Sequence, residues 1–411
     1  MKIIFFPIDI GIAHIVRSLA IAEELQIRGH EVIFCLPKRK KSIIANSKVK
    51  VVEILSAFPG ENLEPKTFTD INLLRRLVAN ELKIIDKFKP DVAIIDYRIS
   101  ALAATAARGI KTYQLTHGNV LYSAYIPNFN LPKIIYKIIT PIFRLGFSLG
   151  LMWYLRPLLK VARENGSKMG LIKWMKSVDY ILPEPEFFYP LRVKNYYKTH
   201  YVGPLNWKGF KSQTPQWLTD IHPDGKTLYL TFGGTGYDKK KLIKLANLLV
   251  ESGYRIIVSA GTICRINEFP KKKNLYVAQF LSGEEVCRRV DLMICHGGYG
   301  TMIQAIQNNK PVIAIPFNPD QISHALRMQE LGVGRCILNL TITDLPKIIT
   351  LDWHVFENLG KRINPEAIVK EVKEMFKNIK TYEQVLIKFN KNYPFHDGAK
   401  QAADLIENGA K

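Results

Sequence analysis

Apolar residues in this chain come in short runs that stop at turn residues, with helical stripes between them. Lys2 to Pro7 is one such run, rich in isoleucine and phenylalanine and closed by proline, and it predicts a buried strand. Gly11 opens a turn. Ile15, Leu19, Ala22 and Leu25, joined by Val16, Ala20 and Ile27, then repeat at the helical period. Arg28-Gly29-His30 ends that helix, and Val32 to Leu36 predicts the next strand. This is a βαβ unit, which implies a parallel sheet covered by helices. Another begins at Asp91, with a strand at Val92 to Ile95, a small-residue helix at Ser100 to Ala107 and a strand at Thr112 to Leu115.

The second half repeats the alternation without repeating the sequence. Val202-Gly203-Pro204-Leu205 reads as an interdomain hinge, followed by a polar stretch from Asn206 to Asp224. A strand at Leu228 to Phe232 ends in Gly233-Gly234-Thr235-Gly236. A helix at Lys239 to Glu251 and strands at Arg255 to Ser259 and Leu275 to Ala278 follow. The strongest pattern runs from Asp291 to His324. An apolar run, Leu292 to Cys295, stops at His296; Gly297, Gly298, Gly300 and Thr301 follow, and a helical pattern begins at once. A second run, Pro311 to Pro316, ends in Asn318-Pro319-Asp320-Gln321. This predicts strand, glycine turn, helix, strand and polar loop. Glycines admit close backbone approach, and a helix N-terminus offers free N–H groups and partial positive charge, which suits a phosphate or diphosphate. After Leu340 the chain is helical and charged, with Asn364-Pro365 capping Glu366 to Phe376 and a last helix at Gly398 to Glu407.

Composition narrows the setting. A length of 411 residues suits two domains, at roughly 150 residues each as a loose prior. The five cysteines, 35, 264, 287, 295 and 336, form no CxxC pair, which points to a reducing, cytosolic setting without a structural metal. The formal charge of +22 fits either a lysine-rich solvated surface or an anionic partner: nucleotide, nucleic acid or acidic membrane. No RNA- or DNA-binding module is visible, which argues against nucleic acid. The N-terminus imitates a signal peptide, yet its apolar run breaks at Pro7 and Asp9, so a strand is expected there.

Residues 131–176 differ from the rest. Aromatic and aliphatic residues mix with Lys133, Lys137, Arg144, Arg156, Lys160, Arg163, Lys168, Lys173 and Lys176, against the single acid Glu164. The longest uncharged run, Leu145 to Leu155, falls well short of the roughly twenty residues that a membrane span needs. Two readings stand open: an amphipathic segment lying on an anionic membrane surface, or ordinary helices packing their apolar faces inward.

Phe232-Gly233-Gly234-Thr235, Cys295-His296-Gly297-Gly298-Tyr299-Gly300-Thr301 and Asn318-Pro319-Asp320-Gln321 resemble the nucleotide-sugar domain of GT-B glycosyltransferases. The likeness is to the UDP-glycosyltransferase family and the lipid-linked N-acetylglucosaminyltransferases related to it. Gly11-Ile12-Ala13-His14-Ile15-Val16-Arg17 resembles the helix opening of that superfamily, with Ala13 in place of a common glycine, and Val202 to Leu205 resembles its hinge. The resemblance spans both halves and is weakest over residues 120–200. It implies an α/β fold of two Rossmann-like domains facing across a cleft. Residues 1–201 would bind acceptor and 206–375 the nucleotide sugar, with helices in 376–411 packing back on the first domain.

The same resemblance implies roles. His296 would face the donor diphosphate, with amides from Gly298 to Thr301 and the Thr301 hydroxyl; Gly297 and Gly300 belong to the same turn. Gly233, Gly234 and Thr235 would form a second phosphate-facing loop, and Asp320 and Gln321 would hold sugar hydroxyls. Gln304 stands where the family has a ribose-binding glutamate, and Gly300 where the plant-type pattern has asparagine. Phe280 replaces an absent tryptophan as the candidate for base contact.

His14 sits where the first strand gives way to a helix, and parallel α/β sheets bind ligands at the carboxyl ends of their strands. It is the candidate general base, or else a helix-capping polar residue. Asp96, ending the strand Val92 to Ile95, is its candidate partner, accepting from the other ring nitrogen, or else an N-cap. His117 is a candidate for the acceptor cleft or a bystander, and Arg17 faces an anion or only a helix surface. The remaining histidines show no metal spacing, and no DxD-type motif is present. The expected reaction is inverting, metal-independent transfer from a nucleotide diphosphate sugar, UDP-linked first, to a hydroxyl on a lipid or lipid-linked acceptor. No cofactor is expected beyond the nucleotide sugar as co-substrate. The expected place is the cytoplasm or the inner face of the membrane. A soluble acceptor, a nucleotide-sugar 2-epimerase, a nucleotide-sugar hydrolase and a non-enzymatic nucleotide-sugar binder are the alternatives.

Overall fold

A computed structural model of the chain describes residues 1–58, 69–121, 137, 140–141, 150, 153, 155–168, 170–191, 198–207, 214–223, 226–233, 237–339, 344 and 362–409. The chain forms two compact units. One is drawn from Met1–Tyr125, Arg144–Phe210 and His396–Lys411, the other from Ile126–Phe143 and Lys211–Phe395.

The first unit is built on a seven-stranded sheet in the order β3-β2-β1-β4-β5-β6-β7. Its strands are β1 (Lys2–Pro7), β2 (Glu31–Leu36), β3 (Lys50–Glu53), β4 (Val92–Asp96), β5 (Lys111–Leu115), β6 (Asp179–Leu182) and β7 (Lys198–Tyr201), all parallel. The continuous apolar runs follow from burial on both faces. Ile4, Phe6, Ile33, Ala93 and Ile95 pack with Leu74, Val78 and Leu82 of the helix Ile71–Phe88 and with Ala101 to Ala104 of the helix Ile99–Arg108. Their neighbours Ile3, Phe5, Val32, Phe34 and Ile94 pack with Ile15, Leu19, Ala22 and Leu25 of the helix Ala13–Ile27. Adjacent strand residues point to opposite faces, so one run feeds two cores.

The second unit holds a six-stranded parallel sheet in the order β10-β9-β8-β11-β12-β13. The strands are β8 (Thr227–Thr231), β9 (Arg255–Ser259), β10 (Leu275–Ala278), β11 (Leu292–Cys295), β12 (Val312–Ala314) and β13 (Gly334–Cys336). On one face Leu228, Leu230, Ile256, Val258, Leu292 and Ile294 pack with the helices Lys239–Glu251 and Pro365–Lys377.

Two boundaries differ from expectation. The first unit runs on to Phe210, because Val202 and Leu205 are buried in its core and do not form a free linker. Of residues 376–411, only those from His396 belong to it. The helix Ile379–Asn392 stays with the second unit, where Leu386 is fully buried and Asn390 Nδ2 donates to the Ile306 carbonyl at 2.7 Å. The helix Gly398–Gly409 packs Ala402, Ala403 and Ile406 into the core shared with the helix Ala13–Ile27. Its entry needs glycine: a Cβ on Gly398 would lie 2.5 Å from the carbonyl oxygens of Gly203 and Pro204.

Much of residues 131–154, including Lys133 and Arg144, lies outside the described residues. Residues 155–164 are helical: Leu158, Val161 and Ala162 are buried in the core of the first unit, while Arg156, Lys160 and Arg163 are exposed. Trp174 is buried in the same core. For these residues the apolar face packs inward and the basic face is left outside. Among the described residues, no helix is long and apolar enough to cross a membrane.

Candidate active site

In a doubly wound sheet, the two central neighbours send their chains off in opposite directions, which opens a crevice at their carboxyl ends. In the first unit these neighbours are β1 and β4, in register from Ile3↔Val92 to Pro7↔Asp96. The turn after β1, with Gly11 at φ +67, delivers His14 in the first turn of the helix Ala13–Ile27. Asp96 closes β4. His14 Nδ1 lies 2.7 Å from Asp96 Oδ1, and the Asp96 carboxylate is fully buried.

Arg17, one turn along the same helix, grips that carboxylate with both forks. Its Nε donates to Oδ2 and its Nη2 to Oδ1, each at 2.6 Å. Ser18 Oγ adds a donor to Oδ2 at 3.2 Å. Burial alone would raise the Asp96 carboxyl, but the charges and hydrogen bonds of Arg17 and His14 outweigh it and hold it down to about 2. An ionised Asp96 accepts, so His14 Nδ1 carries the proton and Nε2 is the basic nitrogen. Arg17 Nη2 also comes within 3.0 Å of His14 Nδ1. Both atoms are donors in this tautomer, so the carboxylate between them is the common acceptor. The edge of the Tyr97 ring meets His14 with centroids 5.2 Å apart, leaving the imidazole partly exposed.

Of the two readings of Arg17 the structure takes the first, with an anion of the chain's own: it is buried against the Asp96 carboxylate. His117 is 5% exposed, with Nε2 receiving Arg17 Nη1 at 2.7 Å and Nδ1 lying 2.5 Å from Glu184 Oε2. Both ring nitrogens are committed within the protein. Glu184 was not anticipated. Its signal was a charged residue between Pro183 and Pro185, directly past an apolar strand at the binding edge of the sheet.

The second unit repeats the crevice with β8 and β11, in register up to Thr231↔Cys295. His296 leaves β11 and stands between two glycine backbones. A Cβ on Gly298 would lie 2.5 Å from His296 Nε2, and one on Gly233 3.3 Å from its Cε1. Gly297, at φ +80, has the Gln321 carbonyl 3.0 Å from its own Cβ position. Gly298 caps the helix Tyr299–Gln307, whose ladder starts with Met302 N–H on the Gly298 carbonyl. The amides of Tyr299, Gly300 and Thr301 precede that first bond, as an anion site requires. Burial pushes the His296 ring down to about 4, with the Thr231 backbone acting against it, so the ring is neutral near pH 7. Its Nδ1 is buried without a hydrogen bond of good geometry. Such a ring can offer a hydrogen bond to a diphosphate, and no cationic charge.

The other expected residues are less uniform. Thr301 and Gln304 are half-buried on that helix, and the Gln304 carboxamide fills the space beside Gly283. Gly300 is exposed, with nothing within 4 Å of its Cβ position. Asp320, in the first turn of the helix Pro319–Glu330, has a half-exposed carboxylate 3.2 Å from His324 Nε2. Gln321 is 6% exposed and its carboxamide oxygen accepts from Phe317 N–H at 2.9 Å, which anchors the side chain in the loop at the start of the helix. Phe280 is 45% exposed past β10, which β9 and β8 separate from β11. Gly234 and Thr235 lie outside the described residues. Among the described residues, no group of three His, Cys, Asp or Glu is placed to hold a metal ion.

Known proteins are similar to this chain in sequence and in fold. Residues 238–352 match the glycosyltransferase family 28 C-terminal domain. The chain is 27% identical over 352 residues to a "PGL/p-HBAD biosynthesis rhamnosyltransferase" of Mycobacterium bovis, covering 81% of this chain and 76% of that protein. Among solved structures it is similar to the glycosyltransferase VinC in complex with dTDP, at a TM-score of 0.67 and 14% identity over 99% of each chain. It is equally similar to Os79 of O. sativa in complex with UDP, with a TM-score of 0.67, 14% identity and 99% of each chain covered.

Proposed function

We propose that this chain, a glycosyltransferase of GT-B fold, moves a sugar from a nucleoside diphosphate donor to an acceptor hydroxyl by a single inverting displacement. The observation that carries this reading is His14. Its Nδ1 is tied to an ionised, buried Asp96 and its Nε2 is left open at the carboxyl edge of the sheet. In the proposed step the acceptor O–H gives its proton to His14 Nε2 as its oxygen attacks the anomeric carbon, and the bond to the diphosphate breaks. Asp96 then stabilises the imidazolium. Negative charge gathers on the leaving diphosphate, where amides from Gly298 to Thr301, the Thr301 hydroxyl and a neutral His296 are proposed to supply donors. Preorganised donors of this kind can carry the electrostatic load without a divalent ion. Asp320 is the group proposed to hold donor sugar hydroxyls, and Gln304 the ribose.

UDP- and dTDP-sugars are the donors to test, since VinC and Os79 are seen with those two nucleotides. The relative's name adds rhamnose to the sugars. The glycine turn supplies a contrast. Gly298→Ala should weaken UDP or dTDP binding at least tenfold, because its Cβ would displace His296 or the helix start. Gly300→Asn has open space and should change stability by less than about 0.5 kcal/mol. Calorimetric titration and thermal melts check both, and equal affinity in Gly298→Ala would remove His296 from the donor site.

The acceptor is proposed to be a lipid or lipid-linked alcohol met at an anionic membrane surface. Support comes from the exposed Arg156, Lys160 and Arg163, which follow Trp153, 61% exposed. Vesicles with anionic lipid should sediment the protein at low salt, and the triple charge reversal R156E/K160E/R163E should abolish this; undiminished sedimentation of that variant would reject the surface. The reaction class is tested by NMR of the product and by turnover in EDTA. Inverted anomeric configuration and full activity are expected, whereas retention or metal dependence would overturn the displacement.

A further inference from the structure

Behind His14 runs a line of buried side chains that ends on a second histidine–carboxylate pair. The Asp96 carboxylate receives four donors, Arg17 Nη2 and His14 Nδ1 on one oxygen and Arg17 Nε and Ser18 Oγ on the other. A carboxylate has about four lone-pair sites, so this one is saturated. The remaining terminal nitrogen of Arg17 donates to His117 Nε2 at 2.7 Å. A guanidinium can only donate, which makes His117 Nε2 the acceptor and puts its proton on Nδ1, facing Glu184. The other oxygen of Glu184 accepts from the Gly118 backbone N–H. Asp96 and Glu184 are 0% exposed, Arg17 8% and His117 5%.

Stability does not account for this line, because apolar residues of similar volume usually stabilise a core as well as buried ion pairs do. What the line accomplishes is orientation. We infer that Arg17, His117 and Glu184 are positioning residues for the base. Glu184 fixes the tautomer of His117, and His117 holds Arg17. Arg17 presents Asp96 so that His14 keeps Nδ1–H inward and Nε2 outward. Three separate strand ends contribute: β4 through Asp96, β5 through His117 and β6 through Glu184. Their mutual register is thereby converted into the angle of one imidazole.

The inference rests on His14 being the base of the proposed reaction, and the test separates the two. Full-length protein labelled with ¹⁵N-histidine is read by long-range ¹H–¹⁵N spectra, which report tautomers without turnover. Wild-type His14 and His117 should both appear as Nδ1–H tautomers. Glu184→Gln and His117→Phe should turn the His14 signal into a tautomer mixture and lower kcat roughly 10- to 100-fold, with donor KM unchanged. Arg17→Lys, which cannot reach both Asp96 oxygens and His117 together, should lose more. A wild-type His117 carrying its proton on Nε2 would overturn the inference, whatever the variants do. So would folded Glu184→Gln and His117→Phe enzymes with unchanged kcat and unchanged His14 spectra while His14→Ala is inactive. Full activity in His14→Ala would instead reject the base itself.

Discussion

His14→Ala is expected to lower kcat by about 10²- to 10⁴-fold, the span that general-base catalysis commonly supplies. Donor KM should stay within about twofold, because the groups proposed to hold the donor belong to the second unit. Stability should change by less than about 1 kcal/mol. The imidazole is partly exposed, and Asp96 keeps both forks of Arg17 after it is gone. The same logic predicts that His14→Gln, which restores a donor to Asp96 and no basic nitrogen, gains back almost nothing. Steady-state kinetics with melts on the same samples check this. A drop in stability matching the drop in activity would show His14 to be structural.

Asp96→Asn should damage both folding and turnover. Asparagine keeps the shape but loses the charge, leaving the buried Arg17 without its counter-ion. Breaking a buried pair in this way costs about 3–5 kcal/mol. Catalysis should fall as well, since no carboxylate remains to hold His14 in one tautomer. The acid side gives an independent signature. With the folded carboxyl near 2 and an unfolded aspartate near 3.9, the unfolded chain binds the proton first as pH falls. The stability that Asp96 contributes is therefore full above about pH 4 and disappears as pH falls towards 2. Wild-type protein should lose on the order of 2–3 kcal/mol from this group across that window, and Asp96→Asn should lack this component. Denaturant unfolding at several pH values between 2 and 6 reads the difference, and parallel curves for the two proteins would contradict it.

The fold was legible because its signals are local. Ile3 to Pro7 and Leu292 to Cys295 are apolar on every position, a pattern that strands covered on both faces explain, and the structure places both centrally in parallel sheets. Gly297 and Gly298 marked a turn whose backbone must pass close to other atoms, and both positions are that crowded. The pairing of His14 with Asp96 could be read because Asp96 ends one central strand and His14 follows the turn that leaves its neighbour. The partners of the remaining side chains were hidden, because a side chain's target depends on which strand lies next to it in space. Arg17 looked like any helix arginine until β4 brought Asp96 beneath it. The partner of His117 was hidden because Glu184, far along the chain, reaches it from the segment just past β6. The anchoring of Gln321 was hidden in the same way: its carboxamide oxygen accepts from the Phe317 N–H in the loop ahead of the helix. The helix Ile379–Asn392 carried no mark of which unit it would join; that was decided by pockets for Leu386 and Phe389 and by Asn390 meeting the end of another helix.

Product analysis decides whether the chain transfers a sugar to a lipid. Purified protein is incubated with a panel of UDP- and dTDP-sugars and a cell lipid extract, with His14→Ala in parallel, and the mixtures are read by mass spectrometry. A lipid should gain one sugar mass with an equal amount of nucleoside diphosphate released, and almost none of either should form with His14→Ala. Free sugar released as fast without the extract as with it, epimerised donor, or undiminished transfer by His14→Ala would contradict this expectation.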